Sequence, residues 1–217
     1  MTSPTGVAST DAAAFLALGD SYTIGEGVAP DGRWPVQLAA GLQRAGVAIA
    51  PPRTAAPTAW PPDDLDAGTD AAQAEAPIGT GHALVSLLIG VNNQYRGLPV
   101  DDYARQFDAL LRRAAGFAGG VATRVLVLAI PDWGVTPFAT AQSRDPSLVA
   151  AQLDQFNAAA RAITERAGAF WIDIAPVSRL RGAEATMLVE DGLHPSADMY
   201  ALWAALALPA ARSILCK

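Results

Sequence analysis

Residues 15–27 read FLALGDSYTIGEG, and the reading of this stretch decides the fold. The apolar run Phe15–Leu18 stops at Gly19-Asp20, and Ser21 follows at once. A short, continuous apolar run closed by a turn signal fits a strand covered on both faces. Runs of the same kind recur at Val47–Ala50, Leu84–Ile89, Val125–Ile130 and Phe170–Ile174. Between them the apolar residues change to helical spacing. Trp34, Leu38, Leu42 and Ala45 share one face, and so do Tyr103, Phe107, Leu110 and Ala114. Val149, Leu153, Phe156, Ala160 and Ile163 step by fours and threes through a third helix, and a last one is expected over about 197–212.

Strands alternating with helices predict an α/β fold: a three-layer α/β/α sandwich around a mostly parallel five-stranded sheet, joined by right-handed crossovers. Such sheets bind ligands beyond the carboxyl ends of their strands. The residues to weigh are therefore Ser21, the Gly90–Asn92 turn and Pro131-Asp132-Trp133. Proline at 51, 52, 57, 61, 62 and 77 marks residues 51–77 as a long ordered loop with at most a short helix. No repeat or second core is visible, so residues 1–217 are expected to form a single domain, with about 1–12 as a loosely ordered N-terminal extension.

The composition excludes several functions. Hydrophobic residues make up 51% of the chain, enough for a packed core. A net charge of −6 with no basic stripe argues against a nucleic-acid partner. Cys216 is the only cysteine, which rules out an internal disulfide and a thiolate metal cluster. No apolar run reaches the ~20 residues that span a bilayer, and YALWAALALPAA is broken by Pro209. The start has no basic region before its apolar part, so no signal peptide is expected and a cytoplasmic location is the default. No cofactor or metal is expected either. Gly25-Glu26-Gly27 has Pro30 where a dinucleotide fingerprint needs glycine, and neither G-x-x-x-x-G-K nor H-E-x-x-H occurs. Thr23 stands where a G-x-S-x-G elbow needs its last glycine.

A serine hydroxyl becomes a useful nucleophile only with a base, a group that orients the base, and donors for the oxyanion. Two histidines are present. His82 precedes a strand and so sits at the amino end of the sheet. His194 lies in EDGLHPS, three residues after Asp191, a spacing at which the carboxylate folds back onto one ring nitrogen and leaves the other for Ser21. Taken singly, each element has a plainer reading. Serine after a strand often caps the next helix, Asp-x-x-His often closes a turn, and Asn92 alone is an ordinary turn residue. Their joint appearance at strand ends is what favours chemistry.

GDS after the first strand, GVNN after the third and DGLHP before the last helix resemble the sequence blocks of the SGNH (GDSL-type) serine hydrolases. LLIGVNNQYRG, LVLAIPDWGVTPF and DGLHPSADMYALWA extend the likeness over nearly the whole chain. The resemblance implies a flavodoxin-like sheet and a serine esterase with no cofactor. It assigns Ser21 as nucleophile, His194 as base, Asp191 as its orienter, and Asn92 as an oxyanion donor beside the Ser21 N–H. Three positions depart from the pattern: Tyr22 stands for leucine, Asn93 for aspartate, and Ala59 for the glycine whose N–H completes the oxyanion hole. Tyr22, Trp60, Tyr95, Trp133 and Phe138 are candidate walls of a substrate pocket.

The expected substrate is a small soluble or lipid-derived acyl ester, cleaved through an acyl-enzyme. An acetylxylan-type carbohydrate O-acetylesterase is the alternative. The departures leave a third reading, a ligand-binding homologue without turnover. Acyl length, the alcohol part and the oligomeric state are not encoded in any motif read here.

Overall fold

The computed structural model describes residues 12–55 and 78–216. Five strands of the described residues form one sheet: β1 (Phe15–Gly19), β2 (Arg53–Ala55), β3 (Leu84–Leu88), β4 (Val125–Leu128) and β5 (Phe170–Ile172). Their order is β2-β1-β3-β4-β5 and every neighbouring pair is parallel. Leu18 sits opposite both Ala55 and Leu87, and Gly19 opposite Leu88, so β1 and β3 end level with one another.

The longer helices of the described residues are α2 (Trp34–Arg44), α4 (Val100–Phe117), α6 (Pro146–Arg166) and α8 (Ala197–Leu215). Four short ones stand between them: α1 (Ser21–Ile24), α3 (Val91–Tyr95), α5 (Pro137–Ala141) and α7 (Ala175–Arg181). Helices cover both faces of the sheet. α2 packs on α8 and α4 on α6, which makes the three layers. β1, β3 and β4 are buried along their whole length, as their unbroken apolar runs predict. The edge strand β5 is only half-buried. Truncating a central side chain such as Leu126 to alanine would remove about 2–5 kcal/mol of stability.

One predicted strand is displaced. Val47–Ala50 was expected to form it, but only Ile49 pairs, in an isolated bridge to Ala13, and the strand proper is Arg53–Ala55. Pro51 and Pro52 intervene. Lacking N–H groups, they interrupt the ladder, a defect that an edge position tolerates. The rest of the predicted 51–77 loop, and all but the last residue of the predicted extension, lie outside the described residues.

Candidate active site

The site is built where the strands end. Gly19, the last residue of β1, allows α1 to fold back sharply: a Cβ there would stand 2.2 Å from Thr23 Oγ1 and 2.5 Å from the Leu88 carbonyl oxygen. Asp20 caps the helix, its Oδ1 accepting the Tyr22 N–H at 3.0 Å. Ser21 is thus the first helical residue, and the capping role that was the plainer reading of Ser21 falls to Asp20. β3 ends in the same way. Gly90 adopts φ 120, a conformation that L side chains rarely hold, and leads into α3 with Asn92 in its first turn.

At the end of β4, Asn157 of α6 closes on Ile130, accepting its N–H at 2.8 Å and donating to its carbonyl at 3.0 Å. The following Asp132 is buried and ion-paired to Arg179 at 2.7 Å. These contacts fix the segment that carries Trp133.

The turn before α8 brings in the imidazole. Asp191 Oδ1 accepts the N–H groups of Leu193 at 2.8 Å and His194 at 2.9 Å, and its Oδ2 lies 2.5 Å from His194 Nδ1. His194 Nε2 lies 2.9 Å from Ser21 Oγ. Partial burial opposes ionisation of Asp191, but the His194 ring and the two backbone N–H groups outweigh it and hold the carboxyl below its ordinary range. With Nδ1–H donating to this carboxylate, the Nε2 lone pair is left to accept the Ser21 hydroxyl proton. A hydroxyl, an imidazole and a carboxylate in this order are groups that can together activate a serine. His82 lies apart, before β3, with Nδ1 3.2 Å from the Phe117 carbonyl oxygen.

A cavity of about 460 Å³ opens beside these groups. Ser21, His194, Asp191 and Asn92 line it, and so do four of the five expected aromatic residues, Tyr22, Tyr95, Trp133 and Phe138. The fifth, Trp60, and the expected oxyanion residue Ala59 lie outside the described residues. Neither the Ser21 N–H nor the Asn92 carboxamide has another hydrogen-bond partner among the described residues. Tyr22, where the SGNH pattern has leucine, is buried, its ring centre 5.5 Å from that of His194 and 6.1 Å from that of Trp203.

The lining also includes Glu26, Val91 and Leu193, to which the sequence reading assigned no role in the site. The Trp133 indole is fixed by donating to Gln94 Oε1 at 2.7 Å, and Gln94 in turn donates to Gln152 at 2.8 Å. Nothing in the sequence signalled those bonds, because they join residues 39 and 58 positions apart. Among the described residues, no three His, Cys, Asp or Glu side chains are grouped so as to hold a metal ion, and no helix is long and apolar enough to cross a membrane.

Comparison with known proteins agrees with this architecture. The model of the GDSL-like lipase/acylhydrolase family matches residues 17–202. The chain resembles the crystal structure of TesA with a TM-score of 0.70 at 18% identity, covering 93% of this chain and 99% of that one. A lipase/acylhydrolase from Enterococcus faecalis gives the same score and identity, covering 93% and 97%. Axe2, an acetylxylan esterase from Geobacillus stearothermophilus, gives 0.62 at 18% identity, covering 94% of each chain. These structural likenesses carry the fold alone. Among curated proteins, a sequence search finds no match.

Proposed function

The chain belongs to the GDSL-like lipase/acylhydrolase family, and from that premise we propose that it is a serine esterase cleaving small or lipid-derived acyl esters. The observation that carries this reading is the 2.9 Å approach of His194 Nε2 to Ser21 Oγ beside a cavity of substrate size.

In this reading Ser21 attacks the ester carbonyl as His194 takes its proton, and Asp191 stabilises the imidazolium that forms. The carbonyl oxygen becomes an oxyanion received by the Ser21 N–H and the Asn92 carboxamide, and the family resemblance adds Ala59 as the third donor. His194 then returns the proton to the departing alcohol, leaving the acyl group on Ser21. Water, deprotonated by the same imidazole, attacks the acyl-enzyme and restores the serine. No cofactor takes part in any step. The rings of Tyr95, Trp133 and Phe138 receive the apolar part of the ester.

The second reading is a carbohydrate O-acetylesterase, favoured by the likeness to Axe2 and by aromatic rings on which a sugar can stack. Turnover of p-nitrophenyl esters from acetate to laurate, with acetylated xylan in parallel, separates the two. The ester reading expects rates rising from acetate to a short or medium chain and little acetate released from xylan. A rate confined to acetyl groups, with xylan deacetylated, would favour the second. An absence of turnover on every ester would leave a ligand-binding homologue.

A further inference from the structure

A second cavity, of about 270 Å³, borders the first, and Tyr95 lines both. Its wall carries two guanidinium groups, Arg96 and Arg144, beside the apolar Val149 and Leu148, the latter 57% exposed. The other polar side chains there are committed. Gln94 and Gln152 bond to each other, and Asp145 Oδ1 caps α6 by accepting the N–H groups of Ser147 and Leu148. Arg96 and Arg144 have no carboxylate partner among the described residues, as is also true of Arg33, Arg44, Arg124, Arg166 and Arg212, but these two line one cavity.

Arg144 is exposed and rests against two rings. Its guanidinium lies 5.1 Å from the centre of the Tyr95 ring and 5.9 Å from that of Trp133, the two rings that wall the first cavity. The turn that delivers it contains Ser143 at φ 54, the only positive φ outside glycine among the described residues. A side chain pays an energetic penalty in that conformation, and such turns persist where surrounding contacts enforce them. On the other side, the first cavity has the carboxylates of Glu26 and Asp191 on its wall and no Lys or Arg among its described lining residues. An anionic end of a substrate would be repelled there and would find its partners past Tyr95.

We propose that Arg96 and Arg144 form a subsite for an anionic group, a carboxylate or phosphate, carried by the ester substrate. A planar guanidinium fork matches either oxyanion, and the apolar floor at Leu148 and Val149 suits the carbon chain that bears it. This rests on the esterase reading and names its substrate class: amphiphilic esters with one anionic end.

The test compares matched esters in two series. In the acyl series, p-nitrophenyl hemiesters of glutaric and adipic acid are set against p-nitrophenyl pentanoate and hexanoate. In the alcohol series, the butyrate ester of 4-hydroxybenzoate is set against that of its methyl ester. The quantity read is the ratio of kcat/KM, anionic over neutral, in wild type, Arg96→Gln, Arg144→Gln and Arg144→Lys.

In at least one series the ratio is expected to fall roughly three- to tenfold in each glutamine variant, chiefly through KM, and to be only partly kept by Arg144→Lys, which retains the charge without the planar fork. Raising the salt from about 0.05 to 0.5 M should lower the wild-type ratio in that series. The series that responds tells which side of the ester bears the charge. Ratios that neither substitution moves, or that salt leaves unchanged, overturn the subsite while the neutral esters still report hydrolysis. No wild-type turnover of the neutral esters would instead contradict the esterase reading, so the two failures are distinct.

Discussion

The Asn93 carboxamide donates to Gln106 Oε1 at 2.8 Å and so ties the short helix α3 to α4. Gln94 ties the same helix to Trp133 and to Gln152 of α6, and the Tyr95 hydroxyl donates to Gln142 at 3.0 Å. Three consecutive side chains are fastened, and the neighbouring Asn92 lines the cavity with its carboxamide uncommitted among the described residues. The SGNH pattern has aspartate at position 93. Here a neutral amide pair does the fastening.

Replacing Gln106 with leucine leaves the buried Asn93 carboxamide without its acceptor, which should lower stability by about 1–3 kcal/mol. Because α3 also places Asn92, kcat should fall more than KM rises. Gln106→Glu keeps an acceptor and should restore most of kcat. Steady-state kinetics beside urea unfolding checks both parts, and a variant destabilised with kcat unchanged would separate the pair from the placement of Asn92.

Asn92→Ala tests the oxyanion role itself. Loss of one preorganised donor removes about 2.7–4 kcal/mol of transition-state stabilisation, so kcat should fall roughly 10²–10³-fold. KM should change far less, since the donor acts on charge that develops only in the transition state. An effect seen mainly in KM would place Asn92 in ground-state binding.

Asp20 gives a pH signature. Its Oδ2 is buried without a partner among the described residues, and burial pushes the carboxyl up to about 7 from its ordinary 3.8. The folded state therefore keeps a proton that the unfolded chain releases, so this group's effect makes stability fall as pH rises from about 4 to about 7, and level off above. Asp20→Asn keeps the Oδ1 cap on the Tyr22 N–H and cannot titrate. Its stability relative to wild type should rise across that window, by at most roughly 4 kcal/mol. Denaturant unfolding at several pH values from 4 to 8 measures it, and a pH-independent difference would contradict it.

Much of this was legible in the sequence for physical reasons. The buried strands β1, β3 and β4 write unbroken aliphatic runs, and α2, α4 and α6 write a clean helical period. Ser21, Asn92 and the Asp191–His194 turn sit next to strand and helix ends, where local spacing fixes what they face. β2 was misplaced because its three residues, Arg53–Ala55, carry no apolar run and follow two prolines. The Gln94–Trp133 bond, the Asp132–Arg179 ion pair and the Arg96–Arg144 cavity were illegible, since each depends on tertiary packing between distant elements.

The most direct test of the central claim is to trap the covalent intermediate. The protein is mixed with p-nitrophenyl butyrate, quenched in acid within the first turnovers, and mapped by peptide mass spectrometry. The account predicts a butyryl adduct on Ser21, formed far more slowly in His194→Ala and absent in Ser21→Ala, which should also lose turnover. An adduct on another residue, or turnover by Ser21→Ala equal to that of the wild type, would contradict it.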